Sequence, residues 1–426
     1  MQKVAKKAHQ SANLLFFLMN SALSRMKTNR INITSEQVSA ICTAAAQVLQ
    51  DNRFADHTIE RQLKAHPHWS IEEQGFVAEQ VYAMVRYYRM LCAVAGKTPA
   101  STLDWEDLLG AWLMLKNHPL GAQFKFLTRN EINNAYHTIY KVRAVRESIP
   151  DWLDELGFQE LGEQWEPTLK ALNEAPSLVL RVNRLKTDLS TLQQQLQQAD
   201  ISGKAIAEDA LVIERRGKLY HTAAFRNGWF EVQDYSSQQV APFLEVEPGM
   251  RVIDACAGNG GKALHLASLM QNKGRIVALD TDEKKLEQLR VRARRAGVSI
   301  IETRLIESTK TIKRLAQSAD RLLLDVPCSG LGVLRRNPDT RWRLSPEHLH
   351  DLNVLQKQIL SAYAKMCRAD GKMVYATCSI LPSENQLQID AYINGVGSNY
   401  NVEASKHIFP QEAGFDGFYM ARLVEH

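Results

Sequence analysis

From about Ser35 to Tyr140 the apolar residues recur at helical spacing. Val38, Ile41, Cys42, Ala45, Val48 and Leu49 form one stripe, and Phe76, Val77, Val81, Tyr82, Met84, Val85, Tyr88 and Leu91 a second. A third follows Asp104-Trp105, through Leu108, Leu109, Trp112, Leu113 and Leu115. With no strand signal among them, the pattern predicts a helical bundle. Near Pro176 the period changes. Leu178 to Asn183 is apolar and β-branched like a strand, a helix is expected over Asp188–Gln198, and Ala210–Ile213 is a further strand. From Pro248 the alternation becomes regular: strand Arg251–Cys256, glycine-rich loop, helix Lys262–Met270, strand Arg275–Asp280, then a helix from Asp282 to about Arg295. Strand Arg321–Asp325, a long helix and strand Met373–Cys378 complete it. Strands and helices alternating with glycine punctuation predict a doubly wound α/β sheet.

Four segments follow. These are a basic N-terminal extension over 1–34, expected to be disordered; a helical domain over 35–150; a small α/β segment over 151–235, expected to bind RNA; and an α/β catalytic domain over 236–426. In the extension, Lys6-Lys7 precedes the apolar run Leu14–Met19, a weak likeness to a targeting peptide. The run is too short to span a bilayer, and no membrane partner is expected.

The net charge of +5 invites a nucleic-acid partner, but six of the basic residues precede Glu36, where there is no acid. With those six set aside, Lys and Arg no longer outnumber Asp and Glu, so an RNA site has to come from a local patch. Six cysteines over 426 residues, none in a C-x-x-C pair, fit reduced thiols in a cytoplasmic protein, with neither a disulfide framework nor a metal site.

In doubly wound sheets ligands bind beyond the carboxyl ends of the strands. The loop Cys256, Ala257, Gly258, Asn259, Gly260, Gly261 and Lys262 lies there, where glycines let a ligand approach the backbone. Asp280 ends the next strand, placed for ribose hydroxyls. Together they suit an adenosine-containing cofactor. They do not decide between a dinucleotide and S-adenosylmethionine, and a tight turn without a ligand is the alternative.

Asp325-Val326-Pro327-Cys328-Ser329-Gly330, then Arg335-Arg336-Asn337-Pro338-Asp339, then Ala376-Thr377-Cys378-Ser379-Ile380-Leu381-Pro382-Ser383-Glu384-Asn385 resemble motifs of the RNA cytosine-5 methyltransferases, the RsmB/Nop2/Sun (Fmu) group. Asp254 to Lys262 resembles that family's cofactor loop, and the likeness runs from about Pro176 to His426. The resemblance implies a Rossmann-like methyltransferase domain, S-adenosylmethionine as cofactor, and RNA, ribosomal by preference, as partner. It implies Cys378 as nucleophile, Cys328 as the thiol that assists product release, and Asp325 against both cytosine N3 and the cofactor. A thiol is needed because cytosine C5 is a poor nucleophile. Addition of a thiolate to C6 makes the ring enamine-like, so that C5 can attack a methyl sulfonium.

The chain departs from the family at two places. The loop has Ala257-Gly258-Asn259 where the family has Ala-Ala-Pro, and Ile306 stands where a third strand-end aspartate is usual, with Glu307 one residue on. Arg335, Arg336, Arg341 and Arg343, with Trp342 among them, are expected to meet RNA phosphate and bases, with ion pairing to Asp339 and Glu347 as the alternative. Arg290, Arg292, Arg294 and Arg295 end a helix, where a structural role is expected. The helical region, with Arg53-Phe54-Ala55-Asp56 and Ile59-Glu60-Arg61, bears a distant similarity to NusB-like RNA-binding domains, and a scaffold suits it nearly as well. Two other functions remain open: an RNA-binding ribosome-assembly factor with a decayed cofactor site, and a transfer-RNA cytosine-5 methyltransferase.

Overall fold

The computed structural model describes residues 33–118, 124, 128–215 and 218–426, and the extension expected over 1–34 lies almost wholly outside them. The chain divides into two compact units. One runs to Glu174 and includes Leu334–Arg343; the other is Ala175–Val333 with Leu344–His426. The packing divides the chain at Glu174, and the small sheet shares a unit with the large one.

The second unit holds two sheets. The smaller has the order β2-β3-β1-β4, with β1 at Val179–Val182, β2 at Ser202–Ala207, β3 at Ala210–Arg215 and β4 at Phe230–Val232. All its pairings are antiparallel. The larger contains β5 (Arg251–Asp254), β6 (Arg275–Asp280), β7 (Ile301–Leu305), β8 (Ala319–Asp325), β9 (Cys367–Thr377), β10 (Tyr400–Ile408) and β11 (Phe418–Glu425). Its order is β10-β11-β9-β8-β5-β6-β7. Strands β5 to β9 run parallel, and β11 and β10 add an antiparallel edge.

Successive residues of these strands enter two different cores. Ile253, Val277, Leu322, Leu324, Met373 and Tyr375 belong to one. Val252, Ile276, Ala278, Leu323, Val374 and Ala376 belong to the other. A parallel sheet covered on both faces demands such uninterrupted apolar runs, and this is why these strands were legible as runs. The chain order reverses between β5 and β8, so β6 and β8 leave β5 on opposite sides; their carboxyl ends frame the crevice where such folds bind ligands.

Side chains tie the small sheet to the large one. Arg181 on β1 donates to the Gly261 carbonyl at 2.7 Å, and Asn183 donates to the carbonyls of Gly228 (2.8 Å) and Ala296 (2.9 Å). Glu231 on β4, buried, accepts from Arg292 at 2.8 Å and from Arg295. Burial opposes the Glu231 carboxylate, but the two guanidiniums outweigh it and bring its pKa to about 2. Arg292 and Arg295 are therefore structural, as their place at a helix end suggests.

The first unit is helical throughout its described residues up to Glu174. Capping boxes open four of its helices: Ser35–Leu49 with Thr34 and Gln37, Ile71–Arg86 with Ser70 and Glu73, Thr102–Leu115 with Ser101 and Asp104, and Arg129–Ile139 with Thr128 and Glu131. Their apolar stripes, including Val38, Ile41, Phe76, Val81, Leu108 and Leu109, are buried.

The arginines expected to meet RNA require a correction. Leu334–Arg343 is part of this helical unit, and Arg335 and Arg341 are each only 1% exposed. Arg341 Nη1 donates to the carbonyls of Glu147 (3.1 Å), Ser148 (3.2 Å) and Arg86 (3.4 Å). Arg335 donates to the Ala171 carbonyl at 2.9 Å, and its own carbonyl accepts from Arg86 at 2.7 Å. Trp342 is half-buried and donates to the Val85 carbonyl at 2.7 Å. Burial, then the nearby Arg86 charge, brings the Arg341 pKa down to about 9. Guanidiniums enclosed in this way satisfy backbone carbonyls and do not present a phosphate site. Arg336 is half-buried as well.

Arg341→Met should therefore lower the urea midpoint by the equivalent of about 1–3 kcal/mol, because buried carbonyls lose their donor. A normal midpoint with a weakened salt dependence of RNA binding would return Arg341 to the RNA surface.

Candidate active site

Three strands of the large sheet end in an aspartate at the same edge: Asp254 on β5, Asp280 on β6 and Asp325 on β8. Strand pairing sets their alignment, since β5 residue Asp254 is in register with Ala278 of β6 and with Leu323 of β8. Asp254 is 1% exposed, and neither of its carboxylate oxygens has a hydrogen-bond partner among the described residues. Burial first, and then the Asp325 charge, push its pKa up to about 7, against the opposing pull of Lys262.

Asp280 holds the glycine loop. Its Oδ2 accepts from the Gly258 amide at 2.8 Å and its Oδ1 from the Asp282 amide at 2.8 Å. Arg292 donates to the Asn259 carbonyl at 2.8 Å, so the loop is fixed from two sides. Gly260 has φ +81° and precedes the helix Gly261–Leu269; a Cβ there would come within 2.4 Å of the Leu289 side chain, which restricts the position to glycine. Gly258 has φ +52° and open space where a Cβ would project. A half-buried glycine with open space beside it, near a buried carboxylate without a side-chain donor, is the environment a ligand with donor groups would complete. The residues present thus fit an adenosine cofactor carrying an amino group.

Lys262, in the first turn of that helix, donates to Asp325 Oδ2 at 2.6 Å and lies 5.2 Å above the Phe418 ring. Burial opposes its charge, yet Asp325, Cys378 and Asp254 outweigh that and hold its pKa above the ordinary value. Lys262 therefore meets Asp325 rather than standing at a solvated helix end.

The two motif cysteines meet. Cys328, in the loop after β8, and Cys378, just past β9, bring their sulfurs to 3.3 Å. Cys328 is held well above the ordinary thiol range by its bond to Cys378 first, then by burial, with the Cys378 and Glu384 charges adding. Either sulfur can be the donor in the S–H···S contact.

Cys256 is half-buried against the core, and burial raises its thiol pKa, in keeping with a packing residue. Cys42 and Cys92 lie in helices, but Cys367 opens β9 rather than lying in a helix. Ile306 directly follows β7, as expected for a strand end, donates its amide to the Asp280 carbonyl at 2.9 Å and packs against the core.

One residue of the cluster was quoted only as part of a motif, with no role attached to it. Glu384 is fully buried between the two cysteine loops. Its carboxylate accepts from the Ser329 amide (2.7 Å), the Ser329 and Ser379 hydroxyls, and Gln356 Nε2 (2.9 Å). The signal that could have found it is chemical: a carboxylate a few residues past a strand-end cysteine and the apolar pair Ile380-Leu381 has to be satisfied from somewhere if it is buried.

Asp254 makes stability depend on pH. Its folded pKa is raised, so the folded chain keeps this proton to higher pH than the unfolded chain does. Its contribution is therefore most favourable below the unfolded value and is lost as pH rises toward about 7. Asp254→Asn should remove a pH-dependent penalty on the order of a few kcal/mol. Urea unfolding of wild type and variant at pH 5 and pH 8 checks this: the stability difference between the two proteins should widen at pH 8, and an equal difference at both values would contradict the assignment.

A family model described as 16S rRNA methyltransferase RsmB/F matches residues 241–424, and one described as an RsmF/B-like ferredoxin-like domain matches 149–219. The probable ribosomal RNA small subunit methyltransferase B of Synechocystis sp. is 39% identical over 296 residues, covering 65% of this chain and 66% of that protein. The ribosomal RNA small subunit methyltransferase B of Yersinia pseudotuberculosis is 32% identical over 308 residues, covering 70% and 69%. The aligned part is thus just under two thirds of the Synechocystis protein's own length. Among solved structures, PH0851 superposes with a TM-score of 0.77 at 22% identity, covering 93% of this chain and 100% of that one. NSun6 from Pyrococcus horikoshii, solved with SFG, superposes with a TM-score of 0.60 at 20% identity, covering 66% and 99%. These likenesses show the fold, that of a Rossmann-like methyltransferase. With strand order, strand-end residues and relatives in agreement, the chain belongs to the RsmB/F family of ribosomal RNA methyltransferases.

Proposed function

We propose that this protein methylates carbon 5 of a cytosine in ribosomal RNA, using S-adenosylmethionine and a covalent bond from Cys378 Sγ to cytosine C6. The observation that carries the reading is the 3.3 Å contact between Cys328 and Cys378, at the ends of adjacent parallel strands and beside Asp325. S-adenosylmethionine supplies an electrophilic methyl on sulfonium when bound; the loop from Cys256 to Lys262, with Asp280 and Asp325, is where it would be held. No proton or leaving group need pass through a metal in this scheme.

Cys378 acts as the thiolate and adds to C6, which makes C5 nucleophilic. Asp325 accepts a hydrogen bond from protonated N3, and its ion pair with Lys262 fixes the carboxylate at the strand end. After transfer the C5 proton passes to solvent water, the electron pair of that C–H bond re-forms the C5–C6 double bond, the Cys378–C6 bond breaks with its pair returning to sulfur, and N3 gives its proton back to solvent. Cys328, held as a thiol, stands beside the departing sulfur and can protonate it. The target base has to be unstacked to reach this edge.

The test is transfer of labelled methyl from S-adenosylmethionine to RNA from cells lacking the gene, with nucleosides identified after digestion. Label should appear in 5-methylcytidine with wild type and fall by about 10³-fold or more with Cys378→Ala. Cys328→Ala should accumulate a protein–RNA adduct that survives denaturation. Label in transfer RNA alone would move the substrate. Absence of both transfer and cofactor binding would leave the RNA-binding assembly factor, with the altered loop and Ile306 as its cause.

A further inference from the structure

We propose that Glu384 is the positioning residue that holds the loops of Cys328 and Cys378 in register, so that the two sulfurs stay in contact. The inference rests on the proposed roles of these cysteines, but its geometry is independent of any substrate.

The two loops have no backbone ladder between their cysteines. The last paired residues of β8 and β9 are Asp325 and Ala376, and the Val326 amide bonds the Ala376 carbonyl at 3.0 Å. Beyond that, β8 and β9 no longer pair, and the direct links between the loops are the Gly332 amide on the Cys378 carbonyl at 2.9 Å and the Ser329 hydroxyl on that of Ser379 at 3.3 Å. Glu384 adds a charged acceptor that joins the residues next to both cysteines. One oxygen, Oε1, takes the Ser329 amide, adjacent to Cys328, and Gln356 Nε2. The other, Oε2, takes the hydroxyls of Ser329 and Ser379, so it bridges the residue after Cys328 to the residue after Cys378. Gln356 also donates to the Pro327 carbonyl at 3.0 Å, on the other side of Cys328. The carboxylate itself is anchored from behind. Tyr375 donates its hydroxyl to the Glu384 carbonyl at 2.7 Å, and Asn385 joins Thr377 (2.5 Å) to the Ser379 carbonyl (3.1 Å).

A serine follows each cysteine, and each hydroxyl also accepts from an amide two residues on, Leu331 at 3.3 Å and Leu381 at 3.2 Å. The two turns are thus similar and meet at one charged acceptor. Only a group with two acceptor oxygens and no donor can receive all four bonds, which is why a carboxylate rather than an amide or hydroxyl stands here. Burying it without these donors would be costly, so the network forms as a whole or not at all. Glu384 does not touch the sulfurs and acts through Ser329 and Ser379.

The experiment reads coupling between the thiols as well as turnover. Alkylation of Cys378 by iodoacetamide, followed by peptide mass spectrometry, is measured with and without Cys328→Ser, in wild-type and Glu384→Ala backgrounds, each checked for folding by circular dichroism. In the wild-type background Cys328→Ser should change the Cys378 alkylation rate several-fold; in the Glu384→Ala background it should change it less than about two-fold. Turnover should fall by about 10²-fold in Glu384→Ala, with the KM for S-adenosylmethionine within about two-fold, and Glu384→Gln should restore part of both readouts. Should Glu384→Ala not fold, Ser379→Ala removes one bridging bond and should give the same loss of coupling in smaller measure. Undiminished coupling in a folded Glu384→Ala protein, or in Ser379→Ala, overturns the proposal. Coupling that depends on Glu384 in a protein that methylates no RNA would uphold the positioning role while overturning the proposed reaction.

Discussion

The parallel pairing of β8 with β9 is the constraint on which the site depends. Asp325 is in register with Ala376, so the residues that follow each strand leave the sheet at the same level. A slip of one residue would turn Cys378 toward the opposite face and put Thr377 or Ser379, both fully buried here, in its place. The register is protected by the two cores. Leu322, Leu324, Met373 and Tyr375 face one side and Leu323, Val374 and Ala376 the other, so any slip would drive apolar side chains onto the wrong face. The stability of the sheet and the placement of the thiols are one property.

The same edge concentrates charge. Asp254, Asp280 and Asp325 converge there, and Lys262 is the cation bonded to Asp325. Like charges at strand ends are costly when buried, and the cost falls on Asp254, whose oxygens have no donor among the described residues. Asp280 avoids it by accepting two amides, and Asp325 by pairing with Lys262. Preorganised polar groups of this sort are expected where a ligand replaces water, and a stable scaffold carries the strain.

How much was legible in the chain follows from what kind of force each residue answers to. The strands β5, β6, β8 and the end of β9 were read because burial on both faces forces continuous apolar runs. Strands β2, β4, β10 and β11 were not. Lys204 in β2 and Glu403 and Lys406 in β10 interrupt the apolar pattern of those two edge strands. The start of β9 was lost for a similar reason: Arg368-Ala369-Asp370-Gly371 looks like a turn, and the ladder to β8 indeed shifts register there. The glycine loop and the strand-end acids were legible as local chemistry. Arg335 and Arg341 misled because a basic, aromatic-bearing segment has the composition of an RNA site whether its guanidiniums face solvent or backbone carbonyls. Only tertiary packing distinguishes the two, and here it encloses them.

Two thiols in contact are equivalent until their surroundings distinguish them. The surroundings here are unequal. The Glu384 carboxylate lies between the two cysteine loops, and its charge adds to the upward shift of the Cys328 thiol. Lys262, bonded to Asp325, keeps its charge against burial, with Asp325 the main cause and Cys378 adding to it. The proposed reaction puts the negative charge on Cys378 and the proton on Cys328. That is the required distribution, since one sulfur has to attack as an anion and the other has to hold a proton ready for it when it leaves. Motif order marks which cysteine is which, and the 3.3 Å contact stands in a neighbourhood that holds one acid, Glu384, and one base, Lys262.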